Sequence, residues 1–207
     1  MGSHSQSTQT LVWDRIVQHG PGWSFTRASF VDLGTPTAVR LALLRLKKAG
    51  QIRPIARGVY DYPRTDPQLG TLSTSPDSVV QALRGRDAVR IQPTGAHAAN
   101  LLGLSTQVPM RLVYQTDGST RNVKLGRQII QFRRTTPKNL ATAGRISGLV
   151  IQALRQIGKS GVTDDVIQKL DAKLSDSDKA QLQADLAYAP QWMVPIFQRL
   201  ARTPIQA

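Results

Sequence analysis

Eight side chains near the amino end, Thr26, Arg27, Thr37, Arg40, Lys47, Lys48, Arg53 and Arg57, have the types and spacing that contact with duplex DNA requires. A helix enters the major groove only if its outward face offers donors for base edges and its flanks carry cations for phosphates. Between residues 36 and 49, Val39, Ala42, Leu43, Leu46 and Ala49 recur at helical spacing, which directs Thr37, Arg40, Lys47 and Lys48 away from the apolar face. Thr37 and Arg40 fall in the first turn and a half, where a reading helix touches bases, and an arginine there can take guanine in a bidentate grip. Lys47, Lys48, Arg53 and Arg57 follow at positions suited to the phosphate backbone. The same pattern also fits a solvated basic helix used for protein contact. Leu41 and Leu44 break the division of faces. Three readings stand open for them: contact with thymine methyl groups, packing against a partner, or a shift in the helix register.

A second set of cations, Arg121, Lys124, Arg127, Arg133, Arg134 and Lys138, alternates with apolar residues on or beside predicted strands. A half-buried sheet with a solvated face gives this pattern, and so does a second phosphate-binding surface that lengthens a DNA footprint. Arg145 and Arg155 could extend it. Enzymatic chemistry has little to draw on. Without glutamate or cysteine, the chain cannot build glutamate-dependent metal motifs, thiolate sites or a cysteine nucleophile. His97, in Thr94-Gly95-Ala96-His97-Ala98-Ala99-Asn100, sits where a helix start could bind an anion, yet a lone histidine among small residues is usually packed or hydrogen-bonded locally. The other histidines, His4 and His19, have no ligand spacing, and glycine-rich phosphate loops are absent. We expect no catalytic residue, no metal and no cofactor. Trp13, Trp23 and Trp192 are scattered, unlike the interleaved aromatics of a single-strand stacking platform, and the first two suit a packed core.

The charge balance agrees with a nucleic-acid partner. Lys and Arg number 27 against 13 Asp in 207 residues, a net charge of +14 and a pI near 11.1, so the surface presents a field that attracts phosphate. The excess is concentrated before residue 141; the last third is nearly neutral. The absence of cysteine suits a reducing cytoplasm. No apolar run approaches the roughly 20 residues of a membrane span. Met1-Gly2-Ser3-His4 lacks the basic and apolar regions of a signal peptide and reads as an expression scar, so residues 1–9 are expected to be disordered.

The elements that must position these groups follow from periodicity and punctuation. Leu11, Val12, Ile16 and Val17 predict a helix stopped by Gly20-Pro21-Gly22. Thr26 can cap a second short helix carrying Phe30, Val31 and Leu33, and Thr35-Pro36 opens a third. Gln51–Ile55 and Gly58–Tyr62 then read as two strands joined near Ala56 and Arg57, a wing. Residues 10–63 therefore form a winged helix-turn-helix domain, residues 64–76 a linker, and residues 77–207 a C-terminal domain. That domain should hold a helix at Asp77–Leu83 and strands at Ala88–Gln92, Arg111–Thr116, Arg121–Leu125 and Gln128–Arg134 in a small mixed sheet, with a helix from Thr94 or Gly95 to Leu102. Asp117-Gly118 is read as a hairpin turn. Amphipathic helices follow: an apolar stripe through Ile146, Leu149, Val150, Ala153, Leu154 and Ile157, then Asp164–Lys173, Asp176–Ala189 and Pro190–Arg202. Aspartates near the starts of two of these complement the helix dipole. The fold class is α+β.

Leu43-Leu44-Arg45-Leu46-Lys47-Lys48-Ala49-Gly50, Ile52 and Ala56-Arg57-Gly58-Val59-Tyr60-Asp61-Tyr62-Pro63 together resemble the winged helix of AbiEi-type antitoxins from type IV, abortive-infection toxin–antitoxin systems. Residues 93–104, Pro-Thr-Gly-Ala-His-Ala-Ala-Asn-Leu-Leu-Gly-Leu, followed by strands, resemble the second domain of that family. The resemblance covers residues 10 to about 157. It implies a repressor that binds inverted repeats upstream of its own operon and counters a cognate nucleotidyltransferase toxin without a stable complex. It places the DNA role on Thr37, Arg40 and the basic wing, with a homodimer on DNA as one arrangement. The helices beyond about residue 158 match no motif of the family, and dimerisation is one use for them. A stand-alone winged-helix regulator and a protein or RNA interaction module are the alternatives.

Overall fold

The computed structural model describes residues 7–107 and 109–202 and shows an α+β protein of two compact units. The first unit runs through Ala88 and includes residues 123–126; the second takes residues 89–122 and those from 127 onward. The expected disorder of residues 1–9 lies mostly outside the described residues. Its last three positions are ordered instead, because Ser7 caps α1 (Thr8–His19) by accepting from the Thr10 amide at 3.2 Å.

In the first unit, α1 is followed by β1 (Ser24–Phe25), a 3-10 turn at Arg27–Phe30, α2 (Pro36–Lys48), β2 (Arg53–Ala56) and β3 (Val59–Asp61). The expected second helix is thus a single 3-10 turn. Strands β1, β3 and β2 form one antiparallel sheet in that order, so β1, too short to show periodicity, gives the β2–β3 hairpin a third strand. Val12 and Ile16 of α1, Phe25, Phe30, Ile52 and the inner side of α2 make one core, with Trp13 and Trp23 packed against it. Arg15 fastens α1 to the segment before α2, donating to both Asp32 oxygens at 2.7 and 2.6 Å and to the Ser29 carbonyl at 3.0 Å.

The stretch expected to be a linker is built into this unit. It forms a small antiparallel hairpin, β4 (Thr65–Asp66) and β5 (Gly70–Thr71). The helix after it, α3 (Pro76–Asp87), packs on β1, β3 and the 3-10 turn. The Ser78 hydroxyl accepts from the Ser24 amide at 2.9 Å and donates to the Gly22 carbonyl at 3.1 Å. The boundary expected at residue 77 therefore lies after Ala88. Composition marked the Pro- and Ser-rich stretch, but these long-range hydrogen bonds decide which body α3 joins.

The second unit opens with β6 (Ile91–Pro93) and α4 (Gly95–Leu101), then β7 (Arg111–Thr116), the first two residues of β8 (Arg121–Leu125) and β9 (Gln128–Arg134). The sheet order is β6-β7-β9-β8, with β6 antiparallel and β9 parallel to β7, so the sheet is mixed as expected. Asp117-Gly118 is not the turn of a β7–β8 hairpin, since β9 lies between those strands. The Asp117 carboxylate instead accepts from the Arg90 amide at 2.8 Å and from Arg90 Nε at 2.9 Å, tying the turn to the approach of β6.

Helices α5 (Ile146–Ile157), α6 (Asp164–Lys173), α7 (Asp176–Ala184) and α8 (Val194–Arg202) complete the chain. Leu170, Leu182, Phe197 and Leu200 from the last three are fully buried in the core that α4 and α5 build with Ala98, Leu102, Val150 and Leu154. The C-terminal helices thus close the hydrophobic core of their own unit. Buried Asp185 locks α7 to the start of α5, accepting from Arg145 Nη1 at 2.7 Å, Gln181 Nε2 at 3.0 Å and the Ser147 hydroxyl. Among the described residues, no helix is long and apolar enough to cross a membrane.

The packing has two measurable consequences. The Arg15 hydrogen bonds hold the Asp32 carboxyl at about 2, below its ordinary 3.8. A lowered folded value means that the pair's stabilisation is complete above the ordinary range and is lost as the pH falls through about 2. A carboxyl-resolved NMR titration should place Asp32 there, and Arg15→Ala should return it to the ordinary range. The second concerns Gly148 in α5, where a Cβ would lie 2.4 Å from the Thr142 carbonyl oxygen and 2.5 Å from Gln92 Oε1. Helix propensity alone would make Gly148→Ala stabilising by up to about 1 kcal/mol. The contacts reverse the sign to a loss of about 1–3 kcal/mol, which urea denaturation would measure.

Candidate nucleic-acid interface

Helix α2 begins where expected. Thr35 Oγ1 accepts from the Ala38 amide at 3.3 Å, and Pro36 occupies the first turn, where its missing N–H leaves no bond unmade. Val39, Ala42, Leu43 and Leu46 are buried to 2% exposure or less and fix the rotation of the helix. At about 100° per residue, Thr37, Leu41, Leu44 and Lys48 then run along the side opposite the core. Arg40 and Lys47 flank this line on one side and Arg45 on the other, and all seven are exposed. The register read from the sequence is therefore right for this face, and Leu41 and Leu44 point to solvent. Ala49, expected on the apolar face, is the exposed C-cap.

The electrostatics of α2 are one-sided. The helix has no acidic residue, and Arg45, Lys47 and Lys48 crowd its last turn. Part of that crowding is structural, because cations complement the carboxyl end of a helix dipole. Among the described residues, none of Arg40, Arg45, Lys47 and Lys48 is ion-paired within the chain. Arg57 is exposed at the β2–β3 turn, beside Gly58, whose φ of +72° suits the tight reversal. Arg27 is exposed at the start of the 3-10 turn.

Two expected contact residues are used internally. Thr26 is 1% exposed: its hydroxyl accepts from the Ala28 amide at 3.2 Å while its own amide donates to Ser29 Oγ at 3.3 Å. It caps the 3-10 turn and is closed to a ligand. Arg53 is bound to the buried carboxylate of Asp61, with Nε 3.1 Å from Oδ1 and Nη2 2.6 Å from Oδ2. Its Nη2 also donates to the Leu72 carbonyl at 3.1 Å and to Thr74 Oγ1 at 3.2 Å, and the Thr74 hydroxyl donates back to Asp61. The Asp61 hydrogen bonds raise the Arg53 pKa above its ordinary value. This guanidinium holds the sheet to the strap and is not a free phosphate ligand.

Sequence reasoning missed two cations of the first unit. Arg45 was visible on the same helical wheel, across the outward line from Arg40. Arg86 of α3 had no such signal: its Nη1 lies 3.9 Å from where a Cβ on Gly58 would be, so it reaches the β2–β3 turn only through the tertiary packing of α3. It is also paired with Asp87.

The second cluster is less uniform than its sequence pattern. Arg121 lies over the Phe132 ring, 5.1 Å from its centroid, as part of the sheet's packing. Arg133 and Arg134 end β9 and are exposed, although Arg133 Nε donates to Gln131 Oε1 at 3.2 Å. Lys124 on β8, Arg127 before β9 and Lys138 in the 3-10 turn Pro137–Leu140 are exposed as well. His97 is buried, with Nε2 2.8 Å from the Tyr114 hydroxyl, which fits the locally bonded reading of that residue. Among the described residues, no group of three or more histidine or carboxylate side chains converges as a metal site would.

A family model matches residues 12–182, most of the chain. The chain belongs to DUF6088, a family of unknown function. The match spans both units of this DUF6088 protein, from α1 into α7. No curated protein matches it. Among solved structures, it is similar to the RV2827C protein from Mycobacterium tuberculosis, with 16% identity over 97% of this chain and 83% of that one, at a TM-score of 0.46.

The two arginines of the β2–β3 hairpin make a contrasting pair. Arg53→Ala strands the buried Asp61 carboxylate and should cost about 2–4 kcal/mol, seen as a lowered Tm. Arg57→Ala, at an exposed turn, should leave the Tm unchanged within about 0.5 kcal/mol. Equal thermal stability of the two variants would show that the Arg53–Asp61 pairing is not structural.

Proposed function

We propose that the chain is a DNA-binding repressor of its own operon and the antitoxin of a type IV toxin–antitoxin pair. The observation that carries the DNA half is the outward side of α2, with four exposed and unpaired cations, a hydroxyl in the first turn and no acidic residue on the helix. A helix about 10–12 Å across matches a B-form major groove about 12 Å wide. In that position Thr37 and Arg40 meet base edges, while Arg45, Lys47 and Lys48 meet phosphates on the two rims. The β2–β3 hairpin acts as the wing, and Arg57 at its turn takes the adjoining backbone. Arg127, Arg133, Arg134 and Lys138 offer further phosphate contacts on the second unit. Two copies on an inverted repeat would match the symmetry expected of such an operator.

The antitoxin half rests on the resemblance to AbiEi-type antitoxins. Its two motif stretches, residues 43–63 and 93–104, fall in different units, which supports a division of labour. The first unit reads the operator, and the second counters a nucleotidyltransferase toxin without forming a stable complex. The protein works by binding, without a catalytic step, and acts where its operon is, in the cytoplasm.

A stand-alone regulator would show the same DNA behaviour but would not rescue cells expressing a neighbouring nucleotidyltransferase. A protein or RNA interaction module would prefer structured RNA to duplex at physiological salt. On the DNA upstream of its own gene, affinity should fall steeply with added salt. Arg40→Ala should relax preference at one base position, by about 1–3 kcal/mol, while Lys48→Ala weakens all duplexes alike and lowers the salt slope by about 1. Binding that ignores DNA sequence at every ionic strength would sink the operator reading.

A further inference from the structure

Helix α2 carries two leucines that its own core does not use. On the core side, Val39, Ala42, Leu43 and Leu46 are at most 2% exposed, whereas Leu41 is 38% and Leu44 41% exposed. An isolated surface leucine needs no explanation. These two lie on one line between Thr37 and Lys48, with cations on either side. In cross-section the face reads cation, apolar centre, cation.

We propose that Leu41 and Leu44 are specificity-determining residues that read the C5-methyl groups of thymines at neighbouring base pairs. The inference rests on the duplex-reading proposal above and gives that site its base preference. The major groove has the matching cross-section, with phosphates along both rims and thymine methyls as the apolar groups on its floor. Leucine offers no hydrogen bond, so a cytosine amino group beneath it is desolvated without a partner, whereas a thymine methyl loses nothing polar. Three residues of helix rise about 4.5 Å along the axis, compared with about 3.4 Å per base-pair step, which places the two side chains over adjacent pairs. A second copy of the chain is a poorer occupant. Face-to-face pairing of α2 would bring Arg40, Arg45, Lys47 and Lys48 of both copies together with no acid on either helix to offset them.

The test begins with selection of preferred duplexes by the full chain from a randomised pool. The preferred duplex is then remade with single thymine-to-deoxyuridine replacements, each of which removes one methyl and keeps the base pairing. Binding should weaken about fourfold per methyl at one or two adjacent positions and nowhere else. Leu41→Ala and Leu44→Ala, at exposed sites, should each bind the thymine and uracil forms of its own position equally. A pool from which no duplex is retained overturns DNA reading itself, and this inference with it. A preferred duplex that tolerates uracil at every position leaves DNA reading intact and overturns only the methyl contact. Insensitivity to uracil together with a dimer of the free protein that the leucine variants dissociate assigns the stripe to a second copy and also overturns it.

Discussion

The outward chemistry of α2 depends on how its inner side is buried. Val39, Ala42, Leu43 and Leu46 interlock with Val12, Ile16 and Phe30, and close packing leaves the helix one rotation. A rotation of one residue would bury a cation or expose a core leucine, at a cost of several kcal/mol for the buried charge alone. Local exposure is therefore a consequence of the core, and the line from Thr37 to Lys48 follows from it. The Thr35 cap and Pro36 set where that line begins, and the Arg15–Asp32 pair secures the segment that leads into it.

A second constraint acts on the sheet beside it. Burying Asp61 at the end of β3 is tolerable only if its charge is permanently met, and Arg53 and Thr74 meet it. One of the basic side chains of the β2–β3 hairpin is thereby withdrawn from the surface. The strap that supplies Leu72 and Thr74 becomes part of the first unit, and α3 follows it there. The positive field of this unit is thus smaller at Arg53 than a count of its residues implies, while Arg86, paired with Asp87, comes near the β2–β3 turn from α3.

In the second unit the helices after residue 158 supply the apolar surface that α4 and α5 lack by themselves. Leu170, Leu182, Phe197 and Leu200 reach full burial, and Asp185 pins α7 to the α5 start through two donors, Arg145 and Ser147. Gly148 marks the closest approach, where α5 lies against the Thr142 carbonyl and the Gln92 amide too tightly for a side chain.

Features set by near neighbours were legible in the chain itself. Helix α2 and its cap, the bounds of β7 and β9, the α5 stripe and the aspartates opening α6 and α7 all rest on propensity, capping and periodicity within a turn or two. So did the cationic line of α2, because one helical wheel contains it. The tertiary structure decided what depends on residues distant in sequence: the third strand β1, the insertion of β9 between β7 and β8, the allegiance of α3, and the internal duties of Thr26 and Arg53. The physical reason is that a side chain's type states which bonds it can make, while the partners brought to it by folding determine which of those bonds are already spent.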